Sequence, residues 1–459
     1  MNVTRRNCLT VAGGALFGAL GQSGGLAITN AAEPVKPNGS PSSDLIIRAV
    51  RITPIALPDP PILMSGGLHG PYFLRNVVEI ETDAGIIGIG ETHGGERVTE
   101  GLLKSRDAVV GQSAFAYRKF AAAVMKQGRG VYAGIELACL DAIGRATGRR
   151  LCELLGGPVR EQVEFGSYLF YRYAADDPRI LNDPRIVDGR GRGDKALEPW
   201  GEVRTPAAMA EMAGKLQQQY GFRVHKLKAG VLPPDVEVET LRAMRDRLGD
   251  KHLLRIDPNG IWTVATAVRI GEKLKQLPLE YYEDPVRGQE DMAEVRHQTG
   301  LRMSTNMCVT QFEHIPQAVK TKPIDIVLCD HHGWGGITAC QSLGTMADVL
   351  GWGVSQHSNS HAGITMAAMI HVGAVVSQIN FASDTHYPIL PDGADIIEGP
   401  KLPLAGGCFK IPARPGVGVE LDRDKLARAH EVYEKCGIRQ RDDVTTMQRI
   451  IPGWQRPTY

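Results

Sequence analysis

"RVHKLKAG", residues 223–230, sets two lysines either side of one leucine inside a strand-like segment. In an extended chain residues two apart share a face, so Lys226 and Lys228 stand side by side while Leu227 faces away. Two ammonium groups about 7 Å apart repel by roughly 2.4 kcal/mol at an effective dielectric near 20. The same grammar recurs around this stretch: "EFGSYLF" (164–170), "HLLRIDPNG" (252–260), "LEYYEDP" (279–285), "LRMSTNM" (301–307), "DIVLCD" (325–330) and "WGVSQH" (352–357). Helical stretches follow, among them "TVATAVRIGEKLKQL" (263–277) and "ITACQSLGTMADVLG" (337–351). Strand, loop and helix repeated in this way imply right-handed parallel βα units. Their number favours a closed barrel over an open doubly wound sheet.

Polar residues recur at the ends of these strands. Lys228, Asp257, Glu283, Asn306, Asp330 and His357 follow one another at intervals of 29, 26, 23, 24 and 27 residues. One βα unit of such a barrel takes about 25–30 residues, so all six fall at the same phase, at the C-terminal mouth where these folds do chemistry. Asp257, Glu283 and Asn306 are hard oxygen donors on three consecutive strands. That set suits Mg²⁺, and the lack of Cys or His in it argues against zinc. Lys228 precedes the trio by one strand. Across the barrel Asp330 is one unit before His357, where a carboxylate orients and charge-stabilises an imidazole.

The rest of the chain frames this barrel. Its 459 residues, 43% apolar and 22% charged with net charge +1, read as an ordinary globular protein. No dense basic run points to nucleic acid, and no apolar stretch reaches the ~18 residues of a membrane span. Residues 45–90 alternate as strands and 96–150 read as helix, which suggests an α+β domain. The divisions expected are an export signal at 1–32, a Pro/Ser/Gly linker at 33–44, a capping domain at 45–162, the barrel at 163–404, and a segment at 405–459 that packs back on the cap. Within 1–32, Arg5 and Arg6 stand before a weakly apolar run from Cys8 to Leu20, and small residues follow near Ala27 to Ala32. This is the grammar of a twin-arginine signal, which implies a periplasmic protein with no stable membrane insertion after cleavage. Of eight cysteines, removal of Cys8 leaves seven without a CxxC pair, so a complete disulfide framework is excluded. Arg192-Gly193-Asp194 reads as a polar loop.

The motifs in order, "KLKAG" (226–230), "DPNGIW" (257–262), "EDP" (283–285), "STNM" (304–307) and "HSNSH" (357–361), resemble those of the enolase superfamily and, within it, the glucarate dehydratases. "GLHGPYFLRN" (67–76) resembles that family's substrate-covering loop and "RDDVTTMQRIIPGW" (441–454) its C-terminal signature. The resemblance implies a (β/α)-barrel, a modified TIM barrel, with an N-terminal α+β capping domain. It also implies a Mg²⁺-dependent hydro-lyase, acting on a small acid sugar and assembled as a homo-oligomer. By the same resemblance Lys226 binds a carboxylate oxygen, Lys228 and His357 are opposite-face bases, and Asn259 supports the metal side. His69, Tyr168, Phe170, Ser358, His386 and Arg441 match substrate-contacting positions.

Two departures bear on specificity. Met64 stands where the family usually has Asn in the covering loop, and "VMKQGRGVYAG" (124–134) is shorter than the family's segment. Two alternatives stay open: a racemase or epimerase that uses Lys228 and His357 without elimination, and an exported acid-sugar binding protein without turnover.

Overall fold

Strand β1 (Ile47–Pro58) pairs antiparallel with β2 (Tyr72–Thr82), and β2 with β3 (Ile87–His93). The computed structural model describes residues 44–187 and 200–459. The export-signal reading, the linker up to residue 43 and the Arg192-Gly193-Asp194 loop lie outside those residues. Helix α1 (Arg129–Thr147) lies on the three-stranded sheet. Two glycines of β3 make that possible. A Cβ on Gly88 would stand 2.1 Å from the Ala138 carbonyl oxygen, and one on Gly90 would stand 2.2 Å from that of Gly134. With hydrogen at these positions the helix backbone rests directly on the strand.

Eight further strands form the barrel: β4 (Gln162–Phe170), β5 (Val224–Lys228), β6 (Leu253–Asp257), β7 (Leu279–Glu283), β8 (Met303–Thr305), β9 (Ile326–Cys329), β10 (Gly353–Gln356) and β11 (Ser383–Thr385). Neighbours from β4 to β10 pair in parallel, and β11 pairs in parallel with β4. The remaining seam, between β10 and β11, is closed by a parallel bridge from Val354 to Ile379 and a 2.8 Å hydrogen bond from Ser355 Oγ to the Ala382 carbonyl. The fold is a (β/α)-barrel with an N-terminal cap domain. Strand β11 is not among the seven strands expected from the sequence. Three residues, Ser-Asp-Thr, carry no apolar run by which to recognise a strand.

Helices α2 (Pro206–Tyr220), α3 (Pro234–Leu248), α4 (Val264–Leu274), α5 (Gln289–Thr299), α6 (Ile315–Thr321), α7 (Ile337–Leu350) and α8 (Gly363–Val375) connect successive strands. The strands obey a two-residue period. Leu227, Ile256, Tyr282, Val327 and Val354 belong to the main apolar core shared with the helices. Alternate positions face the barrel interior, where Tyr281, Ile326 and Leu328 pack as a separate apolar plug. Among the described residues no helix is long and apolar enough to cross a membrane.

The segment after 404 divides between the two layers. Helix α9 (Arg423–Cys436) brings Tyr433 and Cys436 against Ala56 of β1 and Tyr72 of β2. Cys408–Lys410 differ from the expected packing on the cap: they run antiparallel to the start of β4, with Phe409 in the main core. An edge of β4 below the barrel mouth is free to take that strand, and Phe409 gains burial there. Helix α10 (Asp443–Ile450) reaches the hairpin of Leu63–Met64 and Gly67–Leu68, where a Cβ on Gly67 would meet the Asp443 carbonyl at 2.4 Å. The tail thereby lays Arg441 and Asp443 over the barrel mouth.

Candidate active site

Lys228, Asp257 and Glu283 are the last residues of β5, β6 and β7, while Asn306, Asp330 and His357 each follow β8, β9 and β10 by one position. The six residues picked out by spacing thus share one end of the barrel. Lys228, Asn259, Asn306 and His357 line a cavity of about 290 Å³, together with His69, Ser358, His386 and Arg441.

On the metal side, Asp257 and Glu283 are fully buried. Asp257 Oδ1 accepts from the Asn259 backbone N–H and from its Nδ2, both at 2.9 Å. Asn259 does this from a left-handed conformation, φ 55°, which asparagine tolerates better than most residues. Lys226 Nζ donates to the two Glu283 oxygens at 3.0 and 2.9 Å and also to Asp384, while Lys228 Nζ donates to Asp257. Arg255 Nη1 holds the other Asp384 oxygen at 3.1 Å. The Tyr168 ring lies under both ammonium groups, 4.6 Å from Lys226 Nζ and 5.5 Å from Lys228 Nζ. Burial opposes the Lys226 charge, but Asp384 and Glu283 outweigh it and raise its pKa. The repulsion expected between the two lysines is therefore offset by carboxylates on three other strands. Burial, reinforced by Asp257, pushes Glu283 well above the usual carboxylate range.

Asn306 completes the trio from a loop that Asp284 holds. Asp284 accepts from the Asn306 backbone N–H at 2.8 Å and from Thr305 Oγ1, in a strained left-handed conformation with φ 34°. Burial and the nearby Asp257 push the Asp284 pKa up to about 7. Asn306 Oδ1 is buried without a hydrogen-bond partner, an orphan oxygen just past β8, the strand that neighbours Glu283's β7. That donor set, all oxygen and rich in negative charge, fits Mg²⁺.

Across the mouth, His357 Nδ1 lies 3.0 Å from Asp330 Oδ2. Burial works against the Asp330 charge, yet hydrogen bonds from His332 and His357 hold it well below the usual carboxylate range. The expected orientation of His357 by Asp330 is present in the geometry. Arg441 Nη2 contacts His69 Nε2 and pairs with Asp443, while His69 Nδ1 lies 3.1 Å from Asp59 Oδ2. Ser358 Oγ accepts from the His386 backbone N–H at 3.2 Å. Tyr168 and Phe170 do not line the open cavity. They are buried in edge-to-face contact, centroids 5.5 Å apart, and form a wall behind the His386 ring, which lies 4.7 and 5.0 Å from them. Met64 does line the cavity, as an apolar patch in its hairpin wall. In the shortened segment, residues 126–128 turn directly into α1, and Arg129 reaches Glu313 of the barrel at 3.1 Å. Asp284, Asp384 and Arg255 escaped sequence reasoning. Asp284 sits inside a motif already quoted, but Asp384 lies 158 residues from its lysine and has no local signal.

Residues 208–425 match the family model described as enolase C-terminal domain-like. A probable glucarate dehydratase of Streptomyces coelicolor is 37% identical over 442 residues, covering 90% of this chain and 98% of the relative. The chain belongs to the enolase superfamily, in its glucarate dehydratase family. It is a hydro-lyase of that family. Among solved structures, an enolase from Pseudomonas fluorescens with bound magnesium, potassium and tartrate is 39% identical with a TM-score of 0.83, covering 90% of this chain and 98% of that one. An enolase from Thermobispora bispora complexed with magnesium and formate is 38% identical, also with a TM-score of 0.83, covering 90% and 99%. The family's metal is Mg²⁺, and Asp257, Glu283 and Asn306 are the residues that would hold it.

Proposed function

We propose that this protein dehydrates an aldarate, such as D-glucarate or its epimer, to a keto-deoxy-aldarate. The observation that carries the reading is that Lys228, Asn306 and His357 line one cavity, with Asp257 and Glu283 buried at the ends of the two strands between Lys228 and Asn306. Mg²⁺, when bound, supplies charge stabilisation to the substrate carboxylate as the α-proton leaves. Lys226 holds an oxygen of that carboxylate. Lys228 removes the α-proton from one face and His357 from the other, so epimers at that carbon are both substrates. When His357 has taken the α-proton it passes that proton to the β-hydroxyl. When Lys228 has taken it, His357 must enter as imidazolium and give its Nε2 proton. On either route the hydroxyl leaves as water and the resulting enol becomes the ketone. A dianionic substrate suits this cavity, whose lining carries Arg287, Arg441 and Arg456 and the single carboxylate of Asp443. The tartrate held by the Pseudomonas fluorescens relative is likewise an α-hydroxy dicarboxylate.

A panel of aldarates and aldonates incubated with Mg²⁺ tests this reading, with keto-acid formation as the signal. Aldarate turnover supports it. Epimer interconversion without keto acid would favour a racemase, and binding without either would favour an acid-sugar binding protein. We further propose that residues 1–32 direct export by the twin-arginine route, on the strength of Arg5 and Arg6 ahead of the run from Cys8 to Leu20.

A further inference from the structure

We propose that Arg75 and His332 are positioning residues through which the cap fixes the tautomer and orientation of His357. The proposal goes beyond the metal site and the two bases, and it rests on the reading of His357 as a base.

A continuous line of polar contacts runs from cap to barrel mouth. Arg75 of β2 and Glu91 of β3 are almost fully buried, and Arg75 Nε donates to Glu91 Oε1 at 2.7 Å. Glu91 in turn accepts from the backbone N–H groups of Ala362 at 2.9 Å and Thr365 at 2.8 Å, fixing the start of α8 just after the His357 loop. Arg75 Nη2 donates to Thr365 Oγ1 at 3.0 Å and lies 3.2 Å from His332 Nε2. His332 Nδ1 lies 3.1 Å from Asp330 Oδ1, and Asp330 Oδ2 lies 3.0 Å from His357 Nδ1.

Proton bookkeeping gives this line a direction. His332 Nε2 lies 3.2 Å from both Arg75 Nη2 and the Glu91 carbonyl oxygen, so two cap groups hold the ring at that nitrogen while the anionic Asp330 Oδ1 draws a proton to Nδ1. That proton is aimed at Asp330 Oδ1. That oxygen also takes the His332 backbone N–H at 2.9 Å, which leaves Oδ2 for His357. Asp330, kept ionised, accepts the His357 Nδ1 proton, and the basic Nε2 lone pair of His357 is left for the cavity. His93, Asp330 and His332 bring ligand atoms within 4.8 Å of one another, so a cation is the rival occupant of this cluster. The Arg75 guanidinium opposes it, since it brings positive charge to within 3.2 Å of one of the three ligand side chains.

Two readouts test the proposal on the intact protein. In the first, ¹⁵N-histidine NMR follows the Nδ1–H of His357, assigned by its disappearance in His357→Asn. His332→Asn and Arg75→Lys should weaken or lose that signal and mix the two tautomers. Arg75→Lys keeps a cation against Glu91, so it decides the matter if His332→Asn does not fold. In the second, deuterium exchange at the α-carbon is followed for both epimers. Exchange through His357 should fall roughly 10–100-fold while exchange through Lys228 stays within about threefold. A purely structural role would depress both faces together. An unchanged His357 signal in both variants, or equal loss on both faces, overturns the proposal. If the wild-type protein neither exchanges nor forms keto acid, the reaction reading fails, and the NMR readout still decides whether Arg75 and His332 set the tautomer.

Discussion

Lys226→Met removes an ammonium of similar length from the centre of the buried charge cluster. Lys226 Nζ lies 2.9 Å from Glu283 Oε2 and 4.0 Å from Asp257 Oδ2, and it also bonds Asp384. At an effective dielectric of 20, with both carboxylates ionised, the first two contacts amount to at most about 5.7 and 4.2 kcal/mol of attraction, the first being reduced because burial favours the protonated form of Glu283. The several kcal/mol needed to desolvate the ammonium disappear with it, so the net loss is smaller, about 3–5 kcal/mol for one partner of a buried network. Residues 43–459 form one compact unit. At ~2.1 cal/mol/K per residue its unfolding entropy near the transition is about 0.9 kcal/mol/K, so Tm should fall by about 3–6 °C. Calorimetry in a chelator measures this loss. Repeating it with saturating Mg²⁺ should recover part of the deficit, because a divalent cation held by Asp257 and Glu283 would supply the missing positive charge, so the variant should gain more from the metal than wild type does. A variant that melts with wild type in the chelator would refute the account of Lys226 as the charge that stabilises these carboxylates.

Asn306→Ala should lose Mg²⁺ binding by titration calorimetry and nearly all activity while its melting temperature in a chelator stays near wild type; full activity at saturating Mg²⁺ would remove Asn306 from the metal set. Glu136, which accepts from the Ile337 backbone N–H and Thr338 Oγ1, has its pKa pushed up to about 7 by burial. Its proton is held more tightly folded than unfolded, so its contribution is complete below pH ~4.5 and is lost as pH rises through ~7, about 3 kcal/mol in all. Glu136→Gln should flatten the fall in stability between pH 5 and 8, and an unchanged slope in denaturant melts would contradict this. Replacing Arg5 and Arg6 with Lys should leave unprocessed precursor in the cytoplasm on fractionation, and normal export would refute the twin-arginine proposal.

The barrel was legible because its repeat is local. Each strand end from Lys228 to His357 carries its own polar residue one unit after the last, and the spacing survives without knowledge of any contact. The placing of Asp257, Glu283 and Asn306 at one end of the barrel was legible for the same reason. Asp384 was not, because its role exists only once β11 lies beside β4 and its carboxylate meets a lysine and an arginine from two other strands. Arg75 and Glu91 were hidden in the same way: within "YFLRNVVEI" and "IGIGETH" they read as ordinary polar positions of cap strands, and only the docking of that sheet turns them toward Thr365 and His332. Tyr168 and Phe170 were named by motif alone, and the packing adds that they stand behind the His386 ring and do not line the cavity.

Strand β11 also bears on how the molecule reaches its final state. The strand is three residues long, and its partner stretch in β4, Phe165–Ser167, lies more than two hundred residues earlier in the chain. Before that pairing forms, β4 and β10 present raw edges to each other. Lys226 and Arg255 meanwhile stand inside the wall short of the carboxylate that Asp384 brings to both. Ring closure and neutralisation are therefore a single event, and a nearly finished barrel is penalised twice, by its open seam and by its surplus of positive charge. Of the barrel's parallel strand pairings this one spans the greatest sequence distance, so the contact that closes the ring is also the costliest of them to find.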